Sequence, residues 1–186
     1  MNLTTSVNNK IQGSVRCPGD KSISQRVLII GALMNQAMKI DGFLHGADPL
    51  STMSALNQIG AKITIGEDGL VYLNKRDQAF LDCKDSLDLG NSGTGLRLML
   101  GLTTGMGLNL SFCGDKSLSK RPMGRIINPL VEMGAKIESL KGKLPISLSS
   151  AKLQTKFTYE LTVASAQVKS SILLAGLAAK AEIHVI

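Results

Sequence analysis

Four short segments of this 186-residue chain place cationic, hydroxyl and amide side chains at the openings of apolar stretches. The first is Pro18-Gly19-Asp20-Lys21-Ser22-Ile23-Ser24-Gln25-Arg26. Pro-Gly sets a turn, Asp20 or Ser22 caps a helix, and Lys21 stands at its mouth. Ser22 and Arg26, four apart, share one helical face. The second is Gly90-Asn91-Ser92-Gly93-Thr94-Gly95-Leu96-Arg97, whose glycine-rich backbone offers N–H groups to an anion. The third, Gly114 to Met123, ends in Lys120-Arg121-Pro122-Met123, where Arg121 can fork onto a carboxylate or phosphate. The fourth is Ala164-Ser165-Ala166-Gln167-Val168-Lys169. The unpaired N–H groups and partial positive charge of a helix N-terminus suit the same chemistry, the binding of phosphate and carboxylate.

Each segment alone has a plain structural explanation: a cap, a turn, a solvated cation. The glycine-rich loop is neither G-x-G-x-x-G nor a Walker A sequence, so it gives no support to nucleotide binding. Bulk composition narrows the partners. Hydrophobic residues make up 44% of the chain, a globular proportion, while aromatics make up only 3%, too few for base-stacking nucleic-acid modules. The net charge of +7 is dispersed, which favours small anionic ligands over a polyanion. Cys17, Cys83 and Cys113 show neither metal spacing nor an even disulfide framework, and are read as reduced thiols. His45 and His184 are isolated, so no metal site and no organic cofactor are expected. No apolar run reaches the ~18 residues of a membrane span. Met1 to Thr5 lacks the basic opening of a signal peptide, and a cytoplasmic location is expected.

The elements that must position these segments repeat. Ala55-Leu56-Asn57-Gln58-Ile59-Gly60-Ala61-Lys62-Ile63 returns as Pro129-Leu130-Val131-Glu132-Met133-Gly134-Ala135-Lys136-Ile137, with Gly60 and Gly134 74 residues apart. Each copy reads as a helix with proline at its first position (Pro49, Pro122) and glycine at its stop, followed by short strands over 61–65 and 135–139. Residues 70–73 and 145–148 read as a further strand in each unit. A second kind of helix, apolar nearly all round and so buried, is predicted over 22–33, 92–103 and 166–179. The expected fold is an α/β lobe of βαβαββ units with buried helices and outer sheets. The units run over about 18–88, 89–160 and 161–186. The third stops after its first helix and the opening of a strand at Glu182, so it is read as incomplete and the chain as a fragment or natural truncation.

The order Pro-Gly-Asp-Lys-Ser-Ile-Ser, Gly-Asn-Ser-Gly-Thr, Lys-Arg-Pro-Met-Gly-Arg, Ala-Ser-Ala-Gln-Val-Lys-Ser resembles the 5-enolpyruvylshikimate-3-phosphate synthase family over about residues 11–186. The fourth motif is similar to that of a bacterial subgroup with Ala-Ser-Ala-Gln in place of Ser-Ser-Gln. The resemblance implies transfer of the enolpyruvyl group of phosphoenolpyruvate to the 5-hydroxyl of shikimate 3-phosphate, with release of phosphate, in chorismate and aromatic amino-acid biosynthesis. It also implies a site between two lobes, of which this chain is the N-terminal one. Residues 1–17, with a strand at about 11–17, would pack with the second lobe. Lys21 is implied in catalysis and in contact with both substrates. Ser22, Arg26, Ser165, Ala166 and Gln167 are implied for shikimate 3-phosphate, Ala166 through its main chain. Asn91, Gly93, Thr94, Arg121 and Gln167 are implied for phosphoenolpyruvate. Gly93 matches the place where a larger side chain obstructs glyphosate, so no steric block is expected there. Asp48 matches an acidic position near the shikimate ring, although capping the helix before Pro49 is its simpler local role.

The physical demands agree with these roles. Two polyanions need dense cations and N–H donors, and the transfer needs a proton moved to and from carbon, for which Lys21 is the carrier available here. The family's acid–base carboxylates belong to the other lobe, so this chain alone is expected to be inactive. The related UDP-N-acetylglucosamine enolpyruvyltransferases carry Lys-Asn where this chain has Lys21-Ser22. A non-catalytic anion-binding lobe is the reading of a different class. The whole enzyme is expected to be a monomer, and an incomplete layer left exposed to be open to self-association.

Overall fold

The structure is a computed structural model that describes residues 3–4, 10 and 12–186. Residues 12–20 carry no regular secondary structure. The strand expected over 11–17 is therefore not formed across 12–17, and Ile11 lies outside the described residues.

Helix α1 (Lys21–Met34) opens at Asp20, whose carboxylate accepts the Ile23 N–H at 2.7 Å, so Asp20 rather than Ser22 is the cap. Strand β1 (Met38–Ile40), helix α2 (Ala47–Gln58), and strands β2 (Lys62–Ile65) and β3 (Val71–Asn74) follow. They form an antiparallel sheet of order β1-β3-β2. The second unit repeats this plan: strand β4 (Ser86–Asp88), helix α3 (Gly93–Met106), strand β5 (Leu110–Cys113), a 3₁₀ turn at Leu118–Lys120, helix α4 (Gly124–Glu132), and strands β6 (Lys136–Leu140) and β7 (Lys143–Ser149). Its sheet order is β4-β5-β7-β6, with β4 parallel to β5 and the other pairs antiparallel. Then come strand β8 (Lys156–Tyr159), helix α5 (Ala166–Ala179) and strand β9 (Glu182–Val185), with β8 parallel to β9 as β4 is to β5. By pairing, β4 belongs with the second sheet and β8 with the third, so these strands open their units.

The repeat holds at the level of backbone geometry. Gly60 (φ +100°) and Gly134 (φ +110°) both take left-handed conformations after α2 and α4. In both, the following alanine N–H returns to the last turn of the helix, Ala61 to Leu56 O and Ala135 to Leu130 O, each at 2.9 Å. The proline starts differ from expectation. Pro49 is the third residue of α2, where its missing N–H has no partner to lose. Pro122 lies outside α4, because the Met123 N–H is drawn to Gly142 O at 2.8 Å and helical bonding begins from the Met123 carbonyl.

Helix α3 is buried along almost its whole length and packs most extensively on α5. On α1 and α5 one apolar side is exposed: Ile23, Ile30 and Met34 on α1, Leu173 and Leu177 on α5. The expectation of three fully buried helices thus holds for α3 alone, which is flanked by α1, α2, α4 and α5. The sheets cover the outer faces through alternating strands, such as β7 with Leu144, Ile146 and Leu148 turned inward. No helix among the described residues is long and apolar enough to cross a membrane.

Candidate functional site

The helix openings of α1, α3 and α5 are tied into one network. At the first, Lys21 Nζ donates to Asp48 Oδ2 at 2.8 Å. The N-cap of α2 is Gly46, so the Asp48 carboxylate holds Lys21 rather than capping its helix, and the local reading of Asp48 is corrected. Its main-chain carbonyl accepts from Ser51 and Thr52 hydroxyls and from the Gln25 amide. Arg26 lies along α1, donating to Ser22 O and to Ser170 Oγ of α5, both at 3.2 Å.

At the second opening Ser92 caps α3 by accepting the Gly95 N–H at 3.0 Å, and the Gly93 N–H turns to Asn91 O. Two loop amides are thereby satisfied internally, so the loop is less open to an anion than its glycine content suggests. Its cations supply the rest. Arg121 donates to Asn91 Oδ1, and a Cβ built on Gly93 would stand 2.7 Å from Arg121 Nη1 and 3.2 Å from Arg97 Nη1. Arg121 itself sits between the 3₁₀ turn and α4, three residues ahead of that helix.

Arg97 joins the second opening to the third. It donates to Gln167 Oε1 at 2.6 Å, while Gln167 Nε2 donates to Thr94 Oγ1 at 2.9 Å. Burial, and then the neighbouring Arg121 charge, pull the Arg97 guanidinium below its ordinary value. Ser165 caps α5 toward Val168 N at 3.4 Å. Ala166 is exposed, and its methyl group has no hydrogen-bonding atom to offer. A cavity of about 320 Å³ opens beside these groups, lined by Arg97, Pro122, Arg125, Ile126, Ser165, Gln167 and Val168.

Among the described residues Arg26, Arg97 and Arg121 form no ion pair with a carboxylate. Clustered cations without acidic partners repel one another unless an anion joins them. Arg97 and Arg121, close enough to feel each other's charge, therefore favour an anion between them. No cluster of three or more metal-ligating side chains occurs among the described residues.

Asn91, Gly93, Thr94, Arg121 and Gln167 are thus brought together around Arg97. Lys21, Ser22 and Arg26 gather at the other end, joined to them through buried Gln25 and through Ser170. Sequence reading missed Gln25, Arg97 and Ser170 as site residues. A signal existed for two of them: Arg97 is a lone charge in the apolar run from Leu96 to Leu102, and Gln25 follows Lys21 by four on one helical face.

The chain is similar to known proteins in both sequence and fold. Residues 6–186 match the family model described as EPSP synthase (3-phosphoshikimate 1-carboxyvinyltransferase). The chain is 48% identical over 174 residues to the 3-phosphoshikimate 1-carboxyvinyltransferase of Ruthia magnifica subsp. Calyptogena magnifica, covering 94% of this chain and 40% of that protein. It is 46% identical over 173 residues to the Brevibacillus brevis protein of that name, covering 92% and 40%. The solved EPSP synthase from Acinetobacter baumannii superposes with a TM-score of 0.83 at 40% identity, covering 90% of this chain and 38% of that one. The chain spans about 40% of the length of the curated relatives it matches. This chain belongs to the EPSP synthase (3-phosphoshikimate 1-carboxyvinyltransferase) family.

Proposed function

We propose that this chain is the N-terminal lobe of a cytoplasmic EPSP synthase and forms one half of its active site. Shikimate 3-phosphate is held by Lys21, Ser22, Arg26, Ser165, Gln167 and the main chain of Ala166. Phosphoenolpyruvate is held by Lys21, Asn91, Gly93, Thr94, Arg121 and Gln167. The observation that carries this reading is the linkage of three capped helix openings, with three arginines that have no carboxylate partner among the described residues. Two phosphorylated acids supply the missing negative charge.

In the reaction the 5-hydroxyl oxygen adds to C2 of phosphoenolpyruvate, its proton leaves, and a proton reaches the methylene carbon. Elimination then breaks the C2–phosphate bond, removes a methyl proton and leaves the enol ether and phosphate. Lys21, held by Asp48, is the proton carrier this chain contributes. The remaining proton transfers are assigned to carboxylates of the family's other lobe, so these 186 residues taken alone are expected to bind without turnover. Ala164-Ser165-Ala166-Gln167 assigns it to the Ala-Ser-Ala-Gln bacterial subgroup. The whole enzyme is read as a monomer, and the exposed Ile23, Ile30, Met34, Leu173 and Leu177 are the surface through which this chain would self-associate.

Calorimetric titration with shikimate 3-phosphate, paired with a phosphate-release assay on adding phosphoenolpyruvate, tests the reading. Binding without phosphate release is expected. Release by this chain alone would overturn the half-site, and absence of binding by a folded sample would overturn the cradle.

A further inference from the structure

We infer that Gln25 is a positioning residue that locks the two ligand-facing helix openings into register, an inference resting on the function proposed above. Gln25 is fully buried, although it lies in the first turns of α1 beside Arg26 and one turn beyond Lys21. Its side-chain Nε2 faces three oxygens on two other elements: Ser92 Oγ at 2.7 Å, Thr52 Oγ1 at 3.0 Å and the Asp48 carbonyl at 3.2 Å. Ser92 is the cap of α3, immediately ahead of Gly93 and Thr94. Asp48 holds Lys21 through its carboxylate while giving Gln25 its carbonyl. A single amide therefore fixes the helix bearing Lys21, Ser22 and Arg26, the residue that holds Lys21, and the cap of the helix bearing Thr94.

Two features separate this from ordinary core packing. Gln25 Oε1 is buried with no hydrogen-bond partner among the described residues, a cost that an apolar side chain of the same size would avoid. The surroundings are also shaped to the amide: a Cβ on Gly95 would lie 2.6 Å from both Ser92 Oγ and Thr52 Oγ1 and 2.9 Å from Gln25 Nε2. Gly95 leaves the room in which the three elements meet. The network is kept at a cost in stability because it sets the spacing between the two openings.

Gln25→Met keeps the length and removes both the donors and the orphan acceptor. The expected result is a urea midpoint equal to or above that of the unmodified chain, with shikimate 3-phosphate affinity lower by about 5- to 30-fold. A lower midpoint with unchanged affinity would show a structural role and overturn the inference. A second measurement needs no variant. In the unmodified chain the Gln25 side-chain amide resonances are expected to shift when shikimate 3-phosphate binds and again when phosphoenolpyruvate is added. Backbone shifts at residues 20–26 with the Gln25 side chain unmoved would overturn the inference and leave the proposed function standing. No binding of either substrate by the unmodified, folded chain would remove both.

Discussion

Replacing Gly101 by alanine tests the packing on which the whole site depends. An ideal Cβ at Gly101 would stand 2.1 Å from the Ser171 carbonyl oxygen, 2.7 Å from the Ser171 carbonyl carbon and 2.7 Å from Ser171 Oγ. Ordinary contact begins near 3.4 Å, so the methyl is short of room by about 1.3 Å. The obstruction is mostly backbone, and one turn on Gly105 approaches the Ala175 carbonyl oxygen in the same way, at 2.2 Å from its ideal Cβ. No rotamer change relieves it; α5 must move away from α3. Overpacking of this kind costs about 1–3 kcal/mol. Loss of the 2.8 Å bond from Ser171 Oγ to Arg97 O adds about 1 kcal/mol. The better helix propensity of alanine offsets about 1 kcal/mol. The expected net loss is about 2 kcal/mol, or a fall in Tm of about 4–8 °C for a chain of this size. The matching control is Gly124→Ala, where a Cβ meets nothing within 4 Å and φ is ordinary, and where a gain of about 0.4–1 kcal/mol is expected. Urea unfolding followed by far-ultraviolet circular dichroism suits a chain with no tryptophan. A Gly101→Ala chain as stable as the unmodified one would refute the close α3–α5 approach, and with it the alignment of Arg97, Thr94 and Gln167.

Further outcomes follow from the same geometry. Arg26→Ala should lower affinity for shikimate 3-phosphate about tenfold or more, and exposed Lys169→Ala should change it less than about twofold, both by calorimetry; equal effects would count against the Arg26 assignment. Gly93→Ala pushes on the mobile end of Arg121, so the fold should persist while phosphoenolpyruvate affinity falls and shikimate 3-phosphate affinity holds. Competition between the two ligands would expose any other pattern. The Asp82 carboxyl is held below its ordinary value by the Asn109 backbone N–H and then by the Asn109 side-chain amide. Its contribution is therefore present above the unfolded carboxylate pKa of about 4 and is lost as pH falls through the lower folded value. Urea midpoints at pH 5 and pH 3 should fall less in Asp82→Asn than in the unmodified chain.

Local signals in the sequence were dependable where the physics is local. Asp20, Ser92 and Ser165 cap the helices they precede, and Gly60 and Gly134 end theirs, because caps and left-handed stops depend on a few neighbouring residues. Pro122 misled because a contact 19 residues away, Met123 to Gly142, delays the start of α4. Strands β4 and β5 alternate but span only three and four residues, too short a run to be read alone, and they form by pairing, β4 with β5 and β5 with β7. The site divided along the same line. Lys21, Arg26 and Arg121 are visible at their helix or loop positions. The hub at Gln25 and the bridge from Arg97 to Gln167 exist only once α1, α2, α3 and α5 are packed together. Asp48 shows the difference within one residue: its sequence position suggests a cap, and its partner 27 residues earlier makes it the anchor of Lys21.

The central claim is that separate helix openings make one phosphate-ester site. Mapping backbone amide shifts as shikimate 3-phosphate is added to the isotopically labelled chain tests it most directly. The account predicts the largest shifts together at residues 20–26 and 165–170, saturating with a single affinity. Shifts confined to one of these segments, or centred on the basic surface at Lys62 and Arg76, would contradict it.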